Sequence, residues 1–404
     1  MVTAEAIRAA YPHVRARVRH TPLFTSESVA ARAGCAGRLF LKMESLQRTG
    51  SFKIRGATHK VATLTKAEKA RGVLTASAGN HAQGLALAAR EAGVACTVFM
   101  PETASIAKIQ ATQGYGATVV LAGSNFDEAV AAAKMRADET GTVWVSAYDD
   151  DGIITGQGSL GIELLEDLPD VNTVLVPIGG GGLFAGVATA VKAVRPACRI
   201  VGVQAAGADT AVRSWRAGRL LPREVPVETI ADGIAIKSPS ARTFAYIQKY
   251  ADDMTAVSDN AIVEAILLLL TRVKVVVEPS GAAPLAALLE HPHLARGKTV
   301  ALLCGGNLDT RRLADLIERG MIRGERYYHF FTACSDKPGG LAGLLEVVAA
   351  LGGNVIEVTH NRLSPDVAYN RTGVEMLLEV RDAAHIADIE AGLRAYGYPV
   401  RRLD

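Results

Sequence analysis

The sequence predicts an α/β protein in which parallel sheets are covered by helices and followed by a small ferredoxin-like domain. Two patterns carry this. Between residues 38 and 317, short β-rich runs alternate with Ala-rich helical stretches, the arrangement that packs helices on both faces of a parallel sheet. After Gly324 the order becomes strand, helix, strand, strand, helix, strand, which is the split βαβ plan. A chain of 404 residues suits two or three domains rather than one core.

Taken in order, the strand-like runs are Gly72–Ala76, Val94–Met100, Thr118–Leu121, Val143–Ser146, Thr173–Ile178, Ile200–Gln204 and Thr299–Cys304. Each ends in or near Gly, Pro or a small polar residue, where an open α/β sheet presents its ligand edge. Ala261–Leu270 reads as a buried core helix, interrupted by Glu264 and far short of the ~20 residues of a bilayer span. In the last part, strands are expected at Tyr327–Ala333, Asn354–Arg362, Gly373–Val380 and Val400–Leu403, with helices at Gly340–Leu351 and Ala384–Tyr396. This gives a catalytic part over residues 1–320, a linker at Met321–Arg326 and a separate domain over 327–404.

Composition narrows the class. Hydrophobic residues at 49% and charged residues at 21% give material for real cores and no case for disorder. The formal charge of +3 is dispersed along the chain, so a nucleic-acid partner is not expected. Five cysteines without a C-x-x-C pair speak against a disulfide framework or a zinc site and fit a reducing cytoplasm. Glu5 and Arg8 fall where a signal peptide needs apolar residues, and neither export nor a membrane partner is expected.

Three segments could carry chemistry. Lys53, in Ser51-Phe-Lys-Ile-Arg-Gly-Ala57, opens a helical stretch. An unperturbed lysine is held in its charged form by roughly 4.6 kcal/mol at neutral pH, far more than the 0.3–1 kcal/mol a helix N-terminus opposes. Desolvation or condensation with an aldehyde would have to supply the rest, and the local sequence leaves both that and ordinary surface lysine open. Gly179-Gly180-Gly181-Gly182 stands between a strand and the Ala-rich helix beginning at Leu183, a phosphate-binding arrangement. Phe184 breaks a dinucleotide G-x-G-x-x-G, and Val187 after Gly186 breaks a Walker A loop, so nucleotides are disfavoured. Ser77-Ala78-Gly79-Asn80-His81 follows a strand and precedes a helix, suiting either ordinary capping or a substrate carboxylate.

Together with Cys304-Gly-Gly-Asn307, and in this order along the chain, these segments resemble the threonine dehydratase and serine racemase branch of the fold type II pyridoxal-phosphate enzymes. The resemblance implies a tryptophan synthase β-like fold with two parallel-sheet subdomains, the smaller at residues 46–155, and pyridoxal 5′-phosphate as cofactor. It implies that Lys53 carries the cofactor and acts as Cα base, and that Phe52 packs beside the ring. Asn80 would meet the 3-hydroxyl group, and Gly179–Gly182 with Leu183 the phosphate. Gly233 and Glu278 would line the cofactor, Cys304 would face the pyridine nitrogen, and Ser77–His81 would hold the substrate carboxylate. The implied reaction removes water and ammonia from L-threonine, with L-serine as a second substrate.

Serine racemase and a 3-hydroxyaspartate ammonia-lyase are the alternatives within the family, and a non-catalytic amino-acid sensor is the alternative outside it. Ala78 stands where racemase-like relatives carry a serine able to donate a proton, which directs the expectation to elimination. Gln204 and Thr210 replace acidic ligands of the racemase magnesium site, so no comparable metal is expected.

Ser335-Asp336-Lys337-Pro338-Gly339-Gly340-Leu341 and Gly352-Gly353-Asn354-Val355-Ile356 resemble an ACT domain, the amino-acid-sensing module of many biosynthetic enzymes. That implies an amino-acid effector near Asp336, Gly339, Gly340, Leu341, Asn354, Val355 and Ile356, and a homodimer or homotetramer built on paired domains.

Overall fold

A computed structural model describes residues 1–222, 226–362 and 367–403. The chain divides into two compact units, Met1–Asp309 and Thr310–Asp404. The first unit contains β1 (Leu23–Phe24), β2 (Leu39–Lys42), β3 (Val73–Ala76), β4 (Cys96–Met100), β5 (Thr118–Leu121), β6 (Val143–Trp144), β7 (Thr173–Pro177), β8 (Arg199–Ala205), β9 (Asp253–Val257) and β10 (Thr299–Leu302). Two sheets form: the larger in the order β1-β2-β10-β7-β8-β9, the smaller β5-β4-β3-β6. Every pairing is parallel except β1 with β2. Strands β3, β7 and β10 are buried along their whole length, as their unbroken apolar runs require when helices cover both faces.

The helix expected through Leu270 is α-helical only over Asp259–Leu268 and continues as a π-helix at Leu269–Val273. Thr271 Oγ1 donates to the Leu267 carbonyl at 2.6 Å, competing for the acceptor that the regular ladder would use. Lys274, left-handed at φ 65°, ends the element and turns the chain toward Glu278.

A buried ion network anchors the helix Lys53–Ala62. Arg55, fully buried, donates through Nε and Nη2 to the two oxygens of Glu44 at 2.8 and 2.7 Å, and its Nη1 lies 2.9 Å from Glu163 Oε2. Lys42 Nζ lies 2.7 Å from both Glu163 Oε1 and Asp167 Oδ2 and donates to Thr21 O at 2.6 Å. Burial pushes the Glu163 carboxyl up, but Arg55 and Lys42 outweigh it and hold the group below the usual carboxylate range. His20 joins Glu163 and Asp167 in a cluster resembling a ligand set, where the Lys42 ammonium already meets the negative charge. With each charge paired, removal of one partner is the costly event, at about 3–5 kcal/mol.

The second unit opens with the helix Thr310–Arg323, so residues 310–320 fall in it and the segment expected to link at 321–326 is helical through Arg323. Then come β11 (Tyr327–Ser335), β12 (Asn354–Asn361), β13 (Arg371–Glu379) and β14 (Arg401–Arg402), an antiparallel sheet in the order β12-β13-β11-β14. Helices Gly340–Ala350 and Ala383–Ala395 complete the βαββαβ order. Tyr328 and Phe330 alternate inward from β11 and pack with Leu344, Val348, Met376 and Ile389. Among the described residues no helix is long and apolar enough to cross a membrane.

Candidate active site

The end of β10 fixes the start of the Lys53 helix. Phe52 N–H donates to Cys304 O at 3.1 Å, Gly306 N–H donates to Gly50 O at 2.8 Å, and Ser51 bridges Gly305. Lys53 is thereby held where β10 ends, with Nζ donating to Ala147 O at 3.0 Å and lying 5.2 Å from the Phe52 ring centre. Lost hydration pulls the ammonium down to about 8, with Cys304 and Glu278 opposing the shift more weakly. Desolvation thus supplies most of the shift that the local sequence left open.

From Lys53 a ring of contacts closes. Tyr148, next to Ala147, lies against the glycine loop so closely that a Cβ on Gly180 would fall 2.2 Å from its ring. Gly181 starts the helix Gly182–Val194 in a left-handed conformation, φ 89°, open to glycine at little cost. Gly179 packs against the backbone of Gly233 and Ile234, and Gly233 against Ser280. Cys304 Sγ lies 4.0 Å from Ser280 O, and the Glu278 N–H donates to Gly305 O at 2.9 Å. Asn80 Nδ2 donates to Glu278 Oε1 at 2.7 Å. Lys53, Phe52, Asn80, the glycine loop, Gly233, Glu278 and Cys304 therefore share one cleft at the carboxyl ends of β3, β7 and β10. Tyr148 was not legible as part of it, because aromatic residues after a strand carry no motif of their own.

Helix ends set the cleft's electrostatics. Thr3, Ser26, Thr65, Asn125, Asp150, Ser240 and Ser258 each cap a helix by accepting from its first turn. The helices beginning at Lys53, Asn80, Gly182 and Pro279 have no side-chain cap, and all four open on this cleft. Among the described residues of the first unit, the α-helices at Ile106 and Thr210 are likewise uncapped. Converging N-termini with free donors favour bound anions.

Burial sets the titrating groups. Glu278 is pushed up to about 7 by desolvation, which the bond from Asn80 opposes, so it holds a proton more readily than an ordinary carboxyl. Burial and the neighbouring Glu278 drive the Cys304 thiol well above its usual value, and Cys304 stays protonated. His81, buried, falls to about 3 through desolvation and the charge of Lys53, and its Nε2 lies 3.2 Å from Val145 O. At neutral pH His81 therefore carries no imidazolium charge. Ser77 Oγ accepts from Gly79 N–H at 3.3 Å, which leaves its hydroxyl hydrogen available to a ligand. Ala78 offers only a methyl group, and the half-buried Ser77–Asn80 loop leads into the uncapped helix at Asn80. Gln204 is absorbed in packing, its Oε1 accepting from Val212 N–H at 3.0 Å and its Nε2 donating to Ile178 O at 3.3 Å.

These residues fit pyridoxal phosphate. An uncapped, glycine-started helix suits the phosphate, and a lysine brought to about 8 suits an aldehyde. Cys304 is a neutral thiol, a weak partner for a ring nitrogen.

Comparisons with known proteins agree. The chain is 43% identical to the L-threonine ammonia-lyase of Thermotoga maritima over 401 residues, 99% of each chain. Its structure matches that of the threonine deaminase of T.th. with a TM-score of 0.72 at 43% identity, covering 76% of this chain and 99% of that one. Maize serine racemase matches with a TM-score of 0.73 at 33% identity, covering 80% of this chain and 98% of the other. Residues 14–305 match the family model described as pyridoxal-phosphate dependent enzyme. The chain belongs to the pyridoxal-phosphate dependent enzyme family, on the fold type II plan shared with these relatives.

Proposed function

We propose that this chain deaminates L-threonine to 2-oxobutanoate and ammonia, and L-serine to pyruvate and ammonia, by elimination of the β-hydroxyl. The full-length identity to an L-threonine ammonia-lyase carries the reading, and the chemistry of the Lys53 cleft supports it. When bound, pyridoxal phosphate supplies the electron sink that acidifies the substrate Cα–H and lets the β-substituent leave. Lys53 Nζ, with its ammonium destabilised by burial, would hold the aldehyde cofactor and would be the base for the Cα proton. The Ser77–His81 loop receives the substrate carboxylate on the uncapped helix end at Asn80. Phe52 lies beside the lysine ammonium, and Tyr148 packs against the glycine loop. One water leaves from Cβ and one returns on hydrolysis, so the net products are the 2-oxo acid and ammonia.

Racemisation is the competing reading, given the serine racemase neighbour. A racemase needs a proton donor on each face of Cα, and the methyl group of Ala78 cannot donate. Incubation with L-threonine and with L-serine, reading 2-oxo acid and the D-enantiomer together, separates the two. Rapid appearance of D-serine without 2-oxo acid would reject the deaminase reading.

The second unit is proposed to bind an amino-acid effector and to pair with a second copy. The helix Gly340–Ala350 begins on Gly339, left-handed at φ 88°, without a side-chain cap, and so offers donors to a carboxylate. Asp336 Oδ1 accepts from Arg362 Nε at 2.8 Å, which leaves its second oxygen for an ammonium group. Leu341, the second residue of that helix, packs partly buried against the core of the unit. Edge strand β12 exposes Val355 and Ile356, and Asn354 Nδ2 there donates to Glu379 at 3.0 Å. An unpaired edge with exposed apolar residues suits pairing between copies, giving a homodimer or homotetramer.

A further inference from the structure

Asn307 ends the Cys304-Gly-Gly-Asn motif, and nothing in the chemistry above uses its side chain. Its Nδ2 donates to Thr49 O and to Asn80 Oδ1, both at 2.7 Å, and lies 3.4 Å from Oε1 of the buried Gln83. An amide nitrogen has two hydrogens, so the two short bonds saturate it. Asn80 in turn donates through Nδ2 to Glu278 Oε1 at 2.7 Å. The result is a relay with one polarity, Asn307 to Asn80 to Glu278. Turning the Asn80 amide over would face its nitrogen to the Asn307 nitrogen and lose that bond, because Thr49 O holds the Asn307 amide in its donating orientation.

The backbone makes room for this arrangement. Gly50, at φ 68°, lies so near Asn307 that a Cβ there would sit 2.2 Å from Asn307 Oδ1. Gly306 N–H closes on Gly50 O at 2.8 Å, so the segment before Lys53 and the segment bearing Asn307 hold each other in place. Asn307 thereby joins three pieces of the cleft: the Thr49–Lys53 segment, the helix beginning at Asn80, and the end of β10.

We propose that Asn307 is a positioning residue for the cofactor, acting through Asn80 by fixing the orientation in which the Asn80 amide presents Nδ2 to the cleft. This rests on the assignment of the cleft to pyridoxal phosphate but not on the identity of the substrate. Asn307 touches no reacting atom in this account. Its contribution comes from removing the alternative orientations of Asn80.

The test is a double-mutant cycle on the full-length chain, read as the dissociation constant of pyridoxal phosphate from fluorescence titration and as the position of the visible band of the bound cofactor. Asn307→Ala is expected to weaken the cofactor about tenfold and to move the band, the scale of one lost, well-placed hydrogen bond. In the Asn80→Ala background the same substitution is expected to change affinity by less than about twofold, because the group it positions is gone. Asn307→Asp, which keeps the shape but cannot donate, should repeat the pattern and serves if the alanine variant does not fold. An equal loss in both backgrounds would make Asn307 merely structural, and a loss below about twofold in the otherwise native chain would leave it without this role; either overturns the proposal. Because neither readout involves turnover, failure of threonine deamination alone would leave the result interpretable.

Discussion

Glu278→Gln isolates the energetic consequence of burying a carboxyl beside Asn80. The unfolded chain ionises this group near 4.5, and the folded chain near 7. Between those values the unfolded state releases a proton that the folded state keeps, so rising pH favours unfolding. The native protein thus loses stability from about pH 4.5 upward and reaches its full loss above about pH 7. At about 1.4 kcal/mol per pH unit, the shift corresponds to about 3 kcal/mol. Glutamine is neutral throughout and can still accept from Asn80, so any constant difference in that bond cancels between two pH values. The variant should therefore gain about 3 kcal/mol over the native protein on going from pH 4.5 to pH 8. Urea unfolding of the cofactor-free protein measures this, since a bound ligand would add its own linkage. Trp144 and Trp215 are the two tryptophans and both lie in the first unit, so their fluorescence follows the relevant transition. The same difference at both pH values would refute the reasoning.

Other substitutions test neighbouring parts of the structure. Gly180→Ala places a methyl group against the Tyr148 ring and should cost about 1–3 kcal/mol in thermal unfolding; combining it with Tyr148→Ala should return much of the loss. Arg55→Met leaves Glu44 and Glu163 buried without their guanidinium partner and should destabilise the first unit by about 3–5 kcal/mol in urea unfolding. A chain ending at Asp309, where the compact units divide, should keep turnover and lose any inhibition by amino acids such as isoleucine or valine. Persistence of that inhibition in steady-state assays would count against an effector site in the second unit.

The fold was legible where pattern and environment coincide. The buried parallel strands β3, β7 and β10 are continuous apolar runs, and the glycine loop follows β7 directly, so position along the chain was enough to place them. The second unit showed itself through alternation along β11, whose inward Tyr328 and Phe330 mark one face. Its boundary was less visible. The helix Thr310–Arg323 contains Gly320 and runs directly into Gly324, so its end resembled a linker. Lys53 could be singled out only through motifs distant in sequence, because the cause of its shift is burial contributed by many segments. For the same reason the Arg55 network was invisible: Glu44, Lys42, Glu163 and Asp167 meet only after folding. Tyr148 and Asn307 are set by close approaches across the cleft, a kind of information that spacing within one segment does not contain.

The central claim is that Lys53 performs an elimination on a hydroxy amino acid in a cofactor-bearing cleft. The most direct measurement compares the native chain with Lys53→Ala, both supplied with pyridoxal phosphate, by quantifying 2-oxobutanoate and ammonia formed from L-threonine. Equal amounts of the two products are expected from the native chain, with a rate lower by about a thousandfold or more in the variant, as follows when the base at Cα is lost. Undiminished turnover by Lys53→Ala, or consumption of L-threonine by the native chain without 2-oxobutanoate, would contradict that claim.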